Sequence, residues 1–322
     1  MCKKTPFNVS LVTKHPEELP AWVAAAAEKE GIVLTVRYCS TAEELLDSAA
    51  GADVIWTVGR NTCVTAEILP SLPRCKAIMR SGSGLDDLPV EAARARGLTV
   101  TNTPEAISGI VAEHTVALLF ALVRQVVRHD RDVRNGVWES GPEWAKWHVP
   151  GQTLGLIGFG LIARETAALL QGFRLKVLVF DPYADERDVR ASGARPVPLD
   201  ELLQQSDFVS VHCPLNDQTR HLLGEAEFRM MKKNALLINT SRGAVLNEQA
   251  LISALREGEI AGAALDVLEQ EPPAADNPFL QMENVVLTPH IAAFSDEFEQ
   301  KFWSASIAKL ETLKKQMEEN SK

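Results

Sequence analysis

Residues 154–163 read Leu-Gly-Leu-Ile-Gly-Phe-Gly-Leu-Ile-Ala, an apolar run that halts at two glycines and resumes as a helical pattern through Leu169 and Leu170. A strand that turns at Gly158 straight into a helix leaves unpaired N–H groups and a partial positive charge at the helix start, which suits a diphosphate. Gly158 permits the tight turn, Gly160 lets a pyrophosphate approach the backbone, and the small Ala163 lets the helix pack close to the strand. Leu161 and Ile162 then occupy the first helical turn, beside the ligand. Such a glycine string alone is weak and often marks only a flexible turn. The next strand, Lys176–Phe180, strengthens it, because it ends in Asp181 near the ~20-residue offset at which an acid accepts hydrogen bonds from an adenosine ribose. That carboxylate would repel a 2′-phosphate, and Pro182, Tyr183 and Ala184 bring no cation, so NAD is expected over NADP. Arg187 is the residue able to reverse the preference, and Asp181 in isolation also reads as a turn acid before Pro182.

The surrounding chain repeats the strand-helix alternation. Before the glycine turn, Asn8–Thr13, Val33–Tyr38, Asp53–Val58, Ala77–Arg80 and Leu98–Thr101 read as strands, with helices from Leu19, from Ala42 and over Val90–Arg96. After it, Phe208–His212, Ala235–Asn239, Ile260–Leu265 and Val285–Leu287 alternate with helices from Leu199 and Gln249. This predicts an α/β fold of two doubly wound, mainly parallel sheets, with ligands at the carboxyl ends of strands. Two domains also follow from the 322-residue length, since single cores stop growing near ~250–300 residues. Between the two series, Ile110, Val111, Leu118, Leu119, Leu122, Val123 and Val126 recur at helical spacing and predict one long buried helix ending at Asn135-Gly136, with His114 a satisfied helix histidine. The expected division is 1–103 for the first part of one domain, 104–289 for the second domain, and 290–322 for a segment returning to the first. In that segment a helix after Ser295 offers Phe298, Phe302, Trp303 and Leu310 to a core.

Charge and cysteine usage narrow the partners. A formal net charge of −10 without a Lys/Arg block argues against a nucleic-acid or anionic membrane partner. The longest uninterrupted apolar run, Val116–Val123, is far below the ~20 residues of a membrane span, and the apolar stretch near Leu11 is too short for a signal sequence. The five cysteines, Cys2, Cys39, Cys63, Cys75 and Cys213, are scattered without Cys-x-x-Cys spacing. They read as reduced thiols, which points to the cytoplasm and to no metal site.

The chemistry-bearing residues cluster after strands of the second series: His212-Cys213-Pro214, Asn239-Thr240-Ser241-Arg242-Gly243, Asp266-Val267, Glu271-Pro272 and Thr288-Pro289-His290. With the Gly158 turn, these segments in this order resemble the D-isomer-specific 2-hydroxyacid dehydrogenases over nearly the whole chain. The resemblance implies a Rossmann cofactor domain, a flavodoxin-like substrate domain with a cleft between them, and a homodimer joined by the long helix and the Trp138, Trp144 and Trp147 loop. It also implies that Arg242 holds the substrate carboxylate and keto oxygen, that His290 exchanges the proton, and that Glu271 pairs with His290. Asp266 would hold the nicotinamide carboxamide, while Cys213, Thr240 and Ser241 line the cofactor face. In Arg80-Ser81-Gly82-Ser83-Gly84, backbone N–H groups at Ser81 and Gly82 would take the substrate, with Ser83 toward the cofactor.

The physical demands of hydride transfer fit these roles. Reduction of a 2-oxo acid leaves negative charge on the former carbonyl oxygen, so a cation and a proton donor are needed beside it. Arginine meets a carboxylate bidentately without losing its charge, and a carboxylate beside imidazole orients the ring and favours its protonated form. Taken singly the residues read differently: His290 as a structural residue at a helix start, Glu271 as a solvated loop acid, Arg242 as a strand cap, Asp266 as a turn acid. Arg60 reads as solvent-exposed, or as a contact to a polar substrate tail. The sequence departs from the resemblance at Leu161, where a basic residue is frequent and Arg164 is the nearest substitute, at Asp87, and at Ala292-Ala293.

The expected activity is NADH-dependent reduction of a small 2-oxo acid, such as glyoxylate or hydroxypyruvate, to its D-2-hydroxy acid. No appended regulatory domain is expected. Two alternatives stay open: a dinucleotide-regulated corepressor-like binding protein, and formate or phosphite oxidation on the same scaffold.

Overall fold

The computed structural model describes residues 6–13, 15–138 and 148–320; Trp144 and Trp147 of the expected interface lie outside them. The chain divides into two compact units, Met1–Ile107 with Ser295–Lys322, and Ser108–Phe294. The first runs β1 (Phe7–Val12), α1 (Ala21–Lys29), β2 (Ile32–Arg37), α2 (Ala42–Ala49), β3 (Val54–Thr57), β4 (Ala77–Arg80), α3 (Val90–Ala95) and β5 (Thr99–Asn102). The second holds α4 (Ser108–Val123), α5 (Val126–Arg134), β6 (Thr153–Ile157), α6 (Leu161–Leu169), β7 (Lys176–Phe180), α7 (Glu186–Ala191), β8 (Arg195–Pro196) and α8 (Leu199–Gln205). It continues with β9 (Phe208–Val211), α9 (Glu225–Met230), β10 (Leu236–Asn239), α10 (Glu248–Glu257), β11 (Gly262–Leu265) and β12 (Val285–Leu287), before α11 (Phe298–Glu319) returns to the first unit.

Both sheets are parallel. The first is ordered β2-β1-β3-β4-β5, the flavodoxin-like order, and the second β12-β11-β10-β9-β6-β7-β8, the Rossmann order with a seventh strand added. In the second sheet the alternation of side chains builds two cores, one on each face. Val209, Val211 and Leu237 pack with Phe228 and Leu251 on one side, while Phe208, Leu236 and Ile238 pack with Leu118, Leu122 and Ala163 on the other. Each such fully buried side chain contributes about 1.5–3 kcal/mol, which fixes strand register, because a one-residue slip would turn both sets outward. In the first unit, α11 supplies Ile307, Leu310 and Leu313 to the face formed by Val9, Leu11 and Trp56, and Trp303 stands edge-on to Trp56 with ring centroids 5.6 Å apart.

Register is what places the site. Ile157 pairs with Val211, Val211 with Asn239, Asn239 with Leu265 and Leu265 with Leu287. The next residue on each strand is Gly158, His212, Thr240, Asp266 and Thr288, so five chemistry-bearing segments leave the sheet along one edge.

Two expectations change. The long helix is broken: α4 and α5 are bent by 58°, with Gln125 left-handed at φ +49°. Neither Pro nor Gly marks the break, and the apolar spacing runs across it. Burial stops there instead, since α4 buries eight residues and α5 none. Among the described residues no single helix is long and apolar enough to cross a membrane. The second change concerns the boundaries. Pro104–Ala106 is a short turn in the first unit, and residues 290–294 belong to the second, because the amides of His290, Ile291 and Ala292 are all tied to Asp266.

Candidate active site

At the end of β6, Gly158 adopts φ +90°, and a Cβ there would stand 2.8 Å from the Cys213 amide nitrogen and 2.9 Å from the His212 carbonyl carbon. Only glycine lets this turn press against the end of β9. The Phe159 amide donates to Asp181 Oδ2 at 2.8 Å, and Asp181 Oδ1 accepts from the amides of Tyr183 and Ala184 at 2.8 and 3.2 Å. Asp181 therefore binds the glycine turn to the end of β7. Gly160 is the N-cap of α6 and provides no side-chain cap; a Cβ on it would meet no protein atom within 4 Å. The first-turn amides of Leu161 and Ile162 thus face a cradle of the kind a pyrophosphate fills. Ala163 is fully buried against the sheet, and Leu161 is exposed.

The nearby cations are engaged elsewhere. Arg187 holds Asp185, with Nη2 2.7 Å from Oδ2, and Arg164 donates to the Phe159 carbonyl at 3.0 Å while its guanidinium lies 4.6 Å from the Phe159 ring centre. A 2′-hydroxyl suits the carboxylate at this position; a 2′-phosphate would face its negative charge. The residues present fit NAD. Burial pushes the Cys213 thiol up to about 11 and holds His212 neutral, its pKa lowered to about 4, with Nε2 2.9 Å from Ser210 Oγ.

After β10, Asn239 sets the shape of the next loop. Its Oδ1 accepts from the Ser241 amide at 3.0 Å and from Ser241 Oγ at 2.8 Å, and its Nδ2 donates to the Arg242 carbonyl at 2.9 Å. Thr240 is buried, its hydroxyl 2.9 Å from that of Thr115 on α4. Arg242 donates from Nη1 to the Ser241 carbonyl at 2.7 Å. The loop then packs so closely on the segment after β11 that a Cβ on Gly243 would fall 1.9 Å from the Leu268 carbonyl carbon.

Glu271 and His290 meet at this edge, with Oε2 2.8 Å from Nδ1. An ionised carboxylate only accepts hydrogen bonds, so Nδ1–H is the donor and Nε2 is left for proton exchange. Burial opposes ionisation of Glu271. Hydrogen bonds from His290 and the Leu268 amide, with the charges of His290 and Arg242, outweigh it and hold the carboxyl below its ordinary value. His290 has a left-handed backbone, φ +53°.

Comparison with known proteins places the chain in a family. A model of the D-isomer specific 2-hydroxyacid dehydrogenase NAD binding domain matches residues 116–292. A glyoxylate reductase of Korarchaeum cryptofilum is 39% identical over 299 residues, covering 90% of this chain and 84% of its own. The chain belongs to the D-isomer-specific 2-hydroxyacid dehydrogenase family. Among solved structures, a D-lactate dehydrogenase from Aquifex aeolicus complexed with NAD and lactic acid is 29% identical with a TM-score of 0.83, covering 96% of each chain. An acyclic imino acid reductase in complex with NADPH and D-Arg is 30% identical with a TM-score of 0.85, covering 96% of this chain and 98% of that one. As in its family, this enzyme transfers hydride between NAD(H) and 2-hydroxy or 2-oxo acids.

In this dehydrogenase Asp266 anchors the loop that carries His290. It is 2% exposed; Oδ1 accepts from Thr288 Oγ1 at 2.6 Å and the Ile291 amide at 3.0 Å, and Oδ2 from the Ala292 amide at 3.0 Å. Burial again opposes its ionisation, and the bonds from His114, Thr288, Ile291 and Ala292 outweigh it. These contacts tie the start of the His290 loop to the end of β11. His114 helps from α4, with Nε2 3.1 Å from Thr288 Oγ1. Sequence reasoning took His114 as structural and named Asn239 in its segment without giving it a role; their polar character inside an apolar helix and at a strand end was the available signal.

In the first unit, the Ser81 hydroxyl is buried, accepting from Trp56 Nε1 at 2.7 Å and lying 2.7 Å from Ser306 Oγ. The Gly82 amide donates to Thr103 Oγ1 at 2.9 Å. These two groups shape the loop from inside, while the Ser83 and Gly84 amides have no acceptor among the described residues. Asp87 pairs with Arg80, the side chains 9% and 13% exposed at 3.0 Å, and accepts the Asn61 amide at 2.6 Å. It thereby joins the Arg60 loop to the Ser81 loop. Arg60 itself is exposed.

Proposed function

We propose that the protein reduces a small 2-oxo acid of the glyoxylate or hydroxypyruvate kind to its D-2-hydroxy acid. The observation that carries this is the 2.8 Å Glu271–His290 pair standing beside the Arg242 loop at the edge where the cofactor turn also ends. NADH, when bound, supplies the hydride. Arg242 holds the carboxylate and draws the keto oxygen into place, and His290 Nε2 delivers a proton to that oxygen as charge builds on it. The product is the neutral hydroxyl group, and the ring left behind is neutral imidazole on Glu271. The amides of Leu161 and Ile162 take the pyrophosphate, Asp181 the ribose, and Cys213, Thr240 and Ser241 the cofactor face. In the loop after β4 the Ser83 and Gly84 amides take the substrate in place of those of Ser81 and Gly82, whose donors are already used.

A homodimer is part of the proposal, supported by the exposed apolar row Val126, Val127, Val133, Val137 and Trp138 on and after α5. A cytoplasmic location is supported by Cys39, Cys63, Cys75 and Cys213, each buried and outside any disulfide among the described residues.

The test is a panel of 2-oxo acids with NADH and NADPH in parallel. Turnover of glyoxylate or hydroxypyruvate with a clear preference for NADH is expected. Activity with formate or phosphite alone, or NADH binding with no turnover of any acid, would reject the assignment.

Arg242→Lys should raise KM more than it lowers kcat, since lysine keeps the charge but loses the bidentate fork; a wild-type KM would remove Arg242 from carboxylate binding. Glu271 stays ionised until pH falls through its lowered value, so the charged acceptor for His290 Nδ1–H is present at neutral pH and is lost on the acid side. Reduction should weaken as pH falls through that range. Glu271→Gln should remove this acid-side dependence and lower kcat, and an unmoved pH profile would show that the pair does not serve the proton transfer.

A further inference from the structure

We infer that His221, through its pair with Glu269, is a positioning residue that holds the Arg242 loop and the Glu271 loop in one register; this rests on the roles given above to Arg242, Glu271 and His290. His221 lies in the connection after β9 with a left-handed backbone, φ +53°. Its amide donates to the Ala244 carbonyl at 2.8 Å, and Leu223 donates to the Val245 carbonyl at 3.3 Å and accepts from the Asn247 amide at 2.9 Å. Residues 221–223 therefore run beside the turn that follows Arg242, and Leu223 forms a parallel bridge with Leu246.

The ring reaches the other loop. His221 Nε2 is 3.0 Å from Glu269 Oε1, and a donor there serves a carboxylate whether or not the ring carries charge. Glu269 is fixed further by a reciprocal pair of bonds. Its amide donates to Glu248 Oε2 at 3.1 Å, and the Glu248 amide donates to Glu269 Oε1 at 3.0 Å. Asn277 Nδ2 holds Glu248 Oε1 at 2.8 Å. The Glu269 amide nitrogen is also 2.4 Å from where a Gly243 Cβ would sit, so the two loops touch at this point. Two residues on, Glu271 takes the Leu268 amide on Oε1 at 3.1 Å and His290 on Oε2. One side chain thus spans the guanidinium wall and the imidazole wall. The pair is 42% and 34% exposed, so it adds little to stability; its effect is on distance, to which proton and hydride transfer are steeply sensitive.

Three variants separate these effects. His221→Gly removes the ring and keeps the left-handed backbone without strain, His221→Asn keeps a short donor in a backbone it tolerates, and Glu269→Gln replaces the charged acceptor with a neutral one. The readouts are kcat and KM with glyoxylate and NADH, NADH affinity by fluorescence, and amide hydrogen exchange over residues 266–272. His221→Gly should lower kcat about 10-fold or more, quicken exchange at Leu268 and Glu269, and leave NADH affinity unchanged, with His221→Asn restoring much of both losses. Wild-type kcat and wild-type exchange in His221→Gly would overturn the inference, as would a loss of kcat with unaltered exchange. If His221→Gly does not fold, Glu269→Gln decides in the same way, with a smaller loss expected. Quickened exchange in a protein whose wild type reduces no 2-oxo acid would uphold the clamp and reject the function.

Discussion

His290→Ala is expected to lower turnover of the preferred 2-oxo acid by about 10²- to 10⁴-fold, the range over which a positioned general acid contributes. The loss should fall on kcat, because the cofactor turn at Gly158, the Asp181 bonds and the Arg242 loop do not depend on the imidazole. NADH titration by fluorescence should give the wild-type affinity. Adding Glu271→Gln to this variant should cost little further activity, since the pair it would break is already gone. A variant with wild-type kcat would mean that the proton comes from elsewhere, and the 2.8 Å contact with Glu271 would then be structural.

Gly243→Ala is expected to disrupt the site as a whole. The added methyl would sit 1.9 Å from the Leu268 carbonyl carbon and 2.1 Å from its oxygen, and those are backbone atoms with no rotamer into which to retreat. Either the Arg242 loop lifts or the segment carrying Glu271 is displaced, at a cost of about 3 kcal/mol or more. Activity should become undetectable and Tm should fall by several degrees, while NADH still binds through β6, α6 and β7. The measurement is a thermal melt beside a fluorescence titration; full activity with an unchanged melt would show that the contact yields easily.

Much of the architecture was legible in the chain because buried parallel strands are continuous apolar runs of fixed length. Thr153–Ile157, Lys176–Phe180 and Val285–Leu287 are found as read. β8 was not seen, since an edge strand of two residues ending in Pro196 has no periodicity to detect. The break at Gln125 was invisible for the opposite reason: the apolar spacing continues through Val126 although burial does not. At the site, residue identity named Arg242, Glu271 and His290, and the structure brings Glu271 and His290 into contact. The bonds Asp266 makes to the His290 loop were out of reach, because a strand-end acid has the same sequence appearance whatever donors the next loop brings to it. The clamp through His221 depends on two connections meeting far apart in sequence, and a single chain carries no local trace of that.

The left-handed backbone of His290 sets folding against chemistry at one position. A side chain with a Cβ in that conformation costs about 1–2 kcal/mol relative to a relaxed residue, and glycine would carry no such penalty. Selection for heat resistance alone would therefore drift away from histidine here, and only selection for turnover retains it. A consensus or stabilising redesign of this enzyme that treats residue 290 as an ordinary turn would gain robustness by erasing the proposed acid.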